Sequence, residues 1–305
     1  MSVVVVGSIS LDTVETPYGK VVDTLGGSTT FFVCAASYFA PVKIVGVVGE
    51  DFPMNDIDFL KKRGADFSGL QVLPGKTFKW GGKYLENMNI RETLFTELNV
   101  FESFNPVLPE SYKDTPYVFL ANIQPDLQIN VRRQVNNPKF VAMDTMNFWI
   151  SGMLSELKAA LTYVDLLTIN DQEVQELSGE NNVIKGARKI LGMGPKALII
   201  KRGEFGAGLV TNNSSFWIPA YPLEEFKDPT GAGDTFAGGF MGYLAMTDDV
   251  SEMNLRRAII YGSALASFCV EDFSYYRLKN LTKKEINERY QKIVDMIKCE
   301  AGKTL

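Results

Sequence analysis

Histidine is absent from all 305 residues. That absence excludes Ser-His-Asp hydrolysis, Cys-His proteolysis, HExxH metalloproteolysis and phosphotransfer through histidine. A general base in this chain has to be a carboxylate, a lysine, a tyrosine or a thiolate. Cysteine is scarce: Cys34, Cys269 and Cys299 are far apart and odd in number. Three dispersed thiols make no structural zinc site and fit a reduced, cytoplasmic protein. No block of Lys or Arg occurs and the net charge is −5, so neither nucleic acid nor an anionic membrane is an expected partner. Long apolar runs are missing too. The opening SVVVVGSIS has four valines and no basic flank, and it reads as a buried strand rather than a signal peptide. No stretch approaches the roughly 18 apolar residues that span a bilayer.

What is present is an ordinary globular balance, 46% apolar and 22% charged, with enough length for a sizeable core. Short β-branched runs alternate with helical stretches. Val3 to Val6, Val42 to Val48, Val118 to Leu120, Phe140 to Met143, Leu166 to Ile169 and Ala197 to Ile200 read as buried strands. Ser28 to Tyr38, Asp56 to Arg63 (with Gly64 as C-cap), Met153 to Leu161 and Glu173 to Leu177 read as helices. This rhythm predicts an α/β fold, with a mostly parallel central sheet covered by helices on both faces. Two stretches break it. Residues 14–25 look like a hairpin turning at Pro17-Tyr18-Gly19-Lys20. Residues 77–104 alternate without helical period, and Gly81-Gly82 reads as their hairpin turn. Together they predict a small antiparallel β-strand lid.

The densest motif is KDPTGAGDTFAGGFMGYLA, residues 227–245. Gly231 and Gly233 leave the backbone open to close approach. The stretch after them is small and apolar, so it predicts a buried helix with the Gly-Ala-Gly turn at its N-terminus. Unpaired N–H groups and the helix dipole make such a turn an anion site. A carboxylate there repels phosphate unless it has another task. Asp234 either takes the proton of an attacking hydroxyl or, like Thr230, merely caps the helix. No GxxxxGK[ST] loop occurs, and no GxGxxG follows the first strand.

DPTGAGDTFAGGF resembles the C-terminal signature of the ribokinase-like sugar kinases, the phosphofructokinase-B family. The resemblance implies a three-layer αβα sandwich with a small β lid, one kinase domain over 1–305 and lid strands within 13–25 and 77–104. It implies transfer of the γ-phosphoryl of Mg-ATP to an alcohol, with Asp234 as base and the Gly231-Ala232-Gly233 backbone as anion hole. Asp228 and Thr230 would lie near the nucleotide phosphates and border the K+ site that some members have. GSISLD (7–12) is similar to the first strand and its substrate-binding aspartate, here Asp12. Gly26-Gly27 resembles the glycine pair at the sugar pocket, and VGVVGEDF (45–52) the strand that follows. NDQE (170–173) is similar to the NxxE motif, which implies that Asn170 and Glu173 act through magnesium-bound water. IIKRGEFGA (199–207) implies that Lys201, Gly203 and Gly206 lie near ATP. Lids of this kind pair in dimers across the family, which implies a homodimer.

The acceptor is less determined. Sugar-specific members carry an asparagine after the glycine pair, and ribokinases also a lysine. Here Ser28 stands at the lysine and Phe31 at the asparagine. Phe31 either contacts substrate or belongs to the core of a buried helix. GGST also resembles the adenosine-kinase form of this segment. The expected acceptor is a sugar or sugar-like molecule, with a nucleoside or cyclitol as the alternative. Trp80 either contacts substrate or packs the lid. A nucleotide-binding regulator without catalysis is the reading from another class.

Overall fold

The computed structural model describes residues 1–298, so Cys299 lies outside the described residues. Nine strands form the central sheet: β1 (Val3–Val6), β4 (Val42–Gly49), β5 (Ala65–Leu73), β8 (Tyr117–Leu120), β9 (Phe140–Asp144), β10 (Leu166–Asn170), β11 (Ala197–Lys201), β12 (Ala207–Thr211) and β13 (Ser215–Ile218). Their order is β13-β12-β11-β10-β9-β8-β1-β4-β5. All neighbours pair in parallel except β11–β12 and β12–β13.

The valines of β1 show why this sheet has two covered faces. All four are fully buried. Alternation along a strand sends Val3 and Val5 into one apolar cluster, and Val4 and Val6 into another. Helices Ser28–Ala36, Ala232–Thr247, Glu252–Cys269 and Lys283–Ile297 pack on the first face. Helices Pro125–Gln134, Leu154–Leu161, Asp171–Ser178 and Val183–Leu191 pack on the second. The result is the αβα sandwich that the strand–helix rhythm predicts. Small residues let the helix Ala232–Thr247 lie backbone against backbone on Ser28–Ala36: a Cβ on Gly242 would come within 2.8 Å of the Ala36 Cα. This contact fixes where the N-terminus of that helix, and therefore the DPTGAGD turn, is aimed.

A second sheet of four strands has the order β3-β2-β6-β7: β2 (Ser10–Thr16), β3 (Gly19–Gly26), β6 (Phe78–Tyr84) and β7 (Arg91–Glu97). The β2–β3 and β6–β7 pairs are antiparallel as expected, but β2 and β6 join in parallel. The hairpin at 14–25 turns where predicted. The other does not. Gly81 and Gly82 lie inside β6, and the chain reverses between Tyr84 and Arg91. The glycine pair instead carries a shift in register against β7, with the Phe95 ring over Gly81 and the Trp80 indole over Gly82. The helix expected at 56–63 is also split, into a 3-10 turn Met54–Ile57 and a short helix Asp58–Lys62. Gly64 follows with φ +89°, the left-handed stop its sequence position predicts. Among the described residues no helix is long and apolar enough to cross a membrane.

Candidate active site

Three adjacent parallel strands end at one edge of the central sheet. β9 ends in Asp144, β10 in Asn170 and β11 in Lys201. Open α/β sheets bind ligands outside this carboxyl edge. The Lys201 ammonium donates to both Asp144 oxygens, at 3.2 and 3.1 Å. Asp144 is 5% exposed, and its Oδ1 also accepts from the Thr145 N–H at 2.9 Å.

The DPTGAGD turn faces this edge. Gly231 has φ +75° and stands at the N-cap of the 16-residue helix Ala232–Thr247, which has no side-chain cap. The Ala232 N–H reaches the Pro229 carbonyl at 3.3 Å and the Thr235 N–H reaches Gly231 at 2.8 Å. Between them, the N–H groups of Gly233 and Asp234 have no main-chain acceptor among the described residues. The Lys201 ammonium lies beside them, since a Cβ on Gly233 would sit 3.3 Å from Nζ. N–H groups without main-chain acceptors, a helix N-terminus and a buried cation suit a transferring phosphoryl group. Asp228 braces the turn from within. It is fully buried, and its oxygens accept from the Thr230 N–H at 2.8 Å and the Ser274 N–H at 3.1 Å.

Two carboxyls here are held well above the usual carboxylate range. Asp234 is pushed up to about 7, chiefly by burial, then by Asp144 and Asp12 against the pull of Lys201. Asp12, 4% exposed, is also raised to about 7 by burial, although the Ser10 hydroxyl donates to its Oδ1 at 2.6 Å. Its carboxyl fills the space where Gly26 would carry a Cβ. Gly27, at φ +88°, then starts the helix Ser28–Ala36.

Asp12 and Asp234 share a cleft of about 240 Å³. Ser8, Ser10, Gly27 and Ser28 line its polar side, and Pro229, Thr230 and Gly231 the side of the turn. Its remaining wall is aromatic and cationic: Phe31, Phe78, Trp80, Tyr84 and Arg91. Phe31 lines the cleft and is also core, at only 2% exposure. The Arg91 guanidinium lies 5.1 Å from the Trp80 ring.

Asn170 and Glu173 lie off the cleft, on the side of Asp144 and Lys201. They form a reciprocal capping box: the Glu173 N–H donates to Asn170 Oδ1 at 2.7 Å, and the Asn170 N–H to Glu173 Oε2 at 2.9 Å. Burial raises Glu173 to about 7, opposed by Lys201 and helped by Asp144. Gly203 and Gly206, at φ +54° and +90°, shape the turn from β11 to β12. Among the described residues no cluster of three or more His, Cys, Asp or Glu could hold a metal. Glu173, whose carboxylate is not paired with Lys201, remains beside the anion turn with Asn170. One carboxylate fits Mg2+, which keeps several waters and takes its other ligands from substrate phosphates.

Sequence reasoning missed Asp144, Ser10, Tyr84 and Arg91. Asp144 was signalled by its place: it is the next residue after a predicted buried strand. Tyr84 and Arg91 flank the reversal that was misplaced at Gly81-Gly82.

Residues 126–280 match the profile of the pfkB family carbohydrate kinase. A cytidine kinase of Thermococcus kodakarensis is 32% identical over 251 residues, 80% of this chain and 88% of the relative. Solved structures share the fold. A nucleoside kinase of Methanocaldococcus jannaschii superposes with TM-score 0.76 at 20% identity, over 95% of this chain and 98% of that one. An E. coli protein described as a ribokinase II, solved with ATP and Mg2+, superposes with TM-score 0.77 at 22% identity, over 95% and 99%. The profile falls on the half of the chain that carries the anion turn, and the cytidine kinase extends the likeness over most of the rest, so the chain belongs to the pfkB family of carbohydrate kinases and is a phosphotransferase with an alcohol as acceptor.

Proposed function

We propose that this kinase moves the γ-phosphoryl group of ATP onto a ribose hydroxyl of a nucleoside. The observation that carries this is the wall of the cleft. Four aromatic rings and the Arg91 guanidinium stand beside Asp12 and Asp234. A free sugar offers such a wall only its C–H faces, whereas a nucleobase is flat and stacks on it over its whole ring. The names of the T. kodakarensis and M. jannaschii proteins, a cytidine kinase and a nucleoside kinase, support the same acceptor class.

Asp12, held by Ser10, orients the ribose hydroxyls. Asp234 takes the proton of the attacking hydroxyl. The N–H groups of the 231–234 turn and the Lys201 ammonium face the equatorial phosphoryl oxygens. When bound, Mg2+ neutralises charge on the phosphate oxygens. Glu173, with Asn170, would hold that metal through water. Asp228 and Thr230 border the nucleotide phosphates and a K+ site, and Gly203 and Gly206 lie along the nucleotide. The chain works as one domain, in the cytoplasm, with its second sheet as a lid that excludes water. Exposed Val22 and Leu94 on that sheet, with Ile90 in the β6–β7 connection, support a homodimer through the lid.

ADP release with cytidine, adenosine, inosine, ribose, fructose and myo-inositol, each with Mg-ATP, tests the reading. A nucleoside is expected to give the highest kcat/KM. Preference for ribose or inositol over every nucleoside would overturn the acceptor. ATP binding without ADP release for any acceptor would favour the regulator.

A further inference from the structure

Asp144 has no part in the scheme above, yet it sits at the centre of the charged edge. It is the carboxylate within ion-pairing distance of Lys201 among the described residues. The pair is nearly closed to water, with side-chain exposures of 19% for Lys201 and 7% for Asp144. Burying two charges is expensive, and apolar residues of like volume often serve stability as well. A pair kept at the edge where three parallel strands end, beside a helix N-terminus with free N–H groups, has a positional use.

That use follows from what else could hold the ammonium. Glu173 and Asp234 also attract it. A lysine paired with Asp234 would occupy the carboxylate that has to accept the proton. A lysine paired with Glu173 would be drawn toward the Asn170 cap. Asp144 restrains it from the strand on the far side of β10, with the ammonium against Gly233. The Thr145 N–H fixes the Asp144 carboxylate in turn.

We propose that Asp144 is a positioning residue, which holds Lys201 at the mouth of the 231–234 turn so that the ammonium meets the arriving phosphoryl oxygens and stays off Asp234. This rests on the phosphoryl-transfer role given to that turn. Lys201 remains the group that touches the phosphoryl oxygens, and Asp144 acts through it.

A double-mutant cycle on the full chain tests this, with affinity for a non-hydrolysable ATP analogue and Mg2+ as the readout. Asp144→Asn keeps the side-chain shape and an acceptor for the Thr145 N–H, and removes the charge. It is expected to weaken analogue binding about tenfold, as is Lys201→Met. The double variant is expected to bind no worse than either single one, because both remove the same placed cation. Additive losses of about a hundredfold would overturn the proposal. So would analogue binding by Asp144→Asn at wild-type strength. A defect that vanishes with excess Mg2+ would also overturn it, by assigning Asp144 to the metal. If Asp144→Asn unfolds, Asp144→Ser carries the same cycle. Failure of the wild type to phosphorylate any acceptor would sink the kinase reading through a different measurement, and the binding cycle would still decide the role of Asp144.

Discussion

The Thr230 hydroxyl donates to the Tyr84 phenol at 3.2 Å, and this bond ties the second sheet to the turn that carries Asp234. Tyr84 ends β6, is 8% exposed, and burial raises its pKa, so the phenol stays neutral and can accept. Placement of the second sheet and placement of the turn are therefore linked through one hydroxyl pair. Tyr84→Phe keeps the ring and removes the acceptor. It is expected to raise the acceptor KM severalfold, in line with about 1 kcal/mol for one hydrogen bond. Steady-state kinetics against acceptor and ATP separately checks this; an equal change in both KM values would count against a link specific to the second sheet.

Asp234 is the other end of the same turn. Asp234→Asn preserves shape and the first-turn position but removes the proton acceptor. Turnover is expected to fall by roughly 10²–10⁴, the usual worth of a general base. Affinity for an ATP analogue should hold within a few fold. Near wild-type turnover in this variant would show that another group takes the proton.

The raised carboxyls give a stability signature with a definite sign. Asp12 and Asp234 move from 3.8 to about 7 on folding, so the native state binds protons that the unfolded chain has released. Their stabilising share is fully present below about pH 4 and is lost as pH rises through 7. Asp234→Asn escapes that loss. It should therefore gain on the wild type in thermal unfolding as pH rises from about 4 to 7, by less than the ceiling of about 1.4 kcal/mol per pH unit, and level off above that. Asp234 is partly exposed, which lowers the expected slope further. The pH–rate profile of the wild type should fall on the acid side near 7, as the base becomes protonated.

Local signals were legible in the sequence, and assembled ones were not. The DPTGAGD turn was readable because its glycines, carboxylates and following helix are contiguous, and the buried strands β1, β4, β8, β9, β10 and β11 because their apolar runs are bounded by turns; half-buried β5 has no such run. The helix Glu252–Cys269 was not singled out. It is buried on most sides, so no 3.6-residue stripe marks it. The reversal between β6 and β7 was misplaced because a glycine pair signals a turn or a bulge equally well, and only the Phe95 and Trp80 rings decide between them. The ion pair of Asp144 with Lys201 is 57 residues apart in sequence and two strands apart in the sheet. Nothing in either segment announces the other.

Gly231 couples the backbone of the turn to the aromatic wall of the cleft. Its φ of +75° is a conformation that L side chains rarely adopt, and a Cβ there would run into the Phe31 ring. Phe31 cannot retreat, since it is packed at 2% exposure in the first-face core. Gly231→Ala must either bend the turn or displace the ring. The backbone strain alone costs about 1–2 kcal/mol, and displacing a packed core ring adds about 1–3 kcal/mol more. A clearly lowered melting temperature is expected, together with loss of turnover as the free N–H groups are re-aimed. Phe31→Leu combined with Gly231→Ala relieves the ring clash but not the backbone strain. It should recover part of the stability while turnover stays low. Full recovery of both would mean that the side-chain clash, and not the left-handed backbone, is what the glycine is there to avoid.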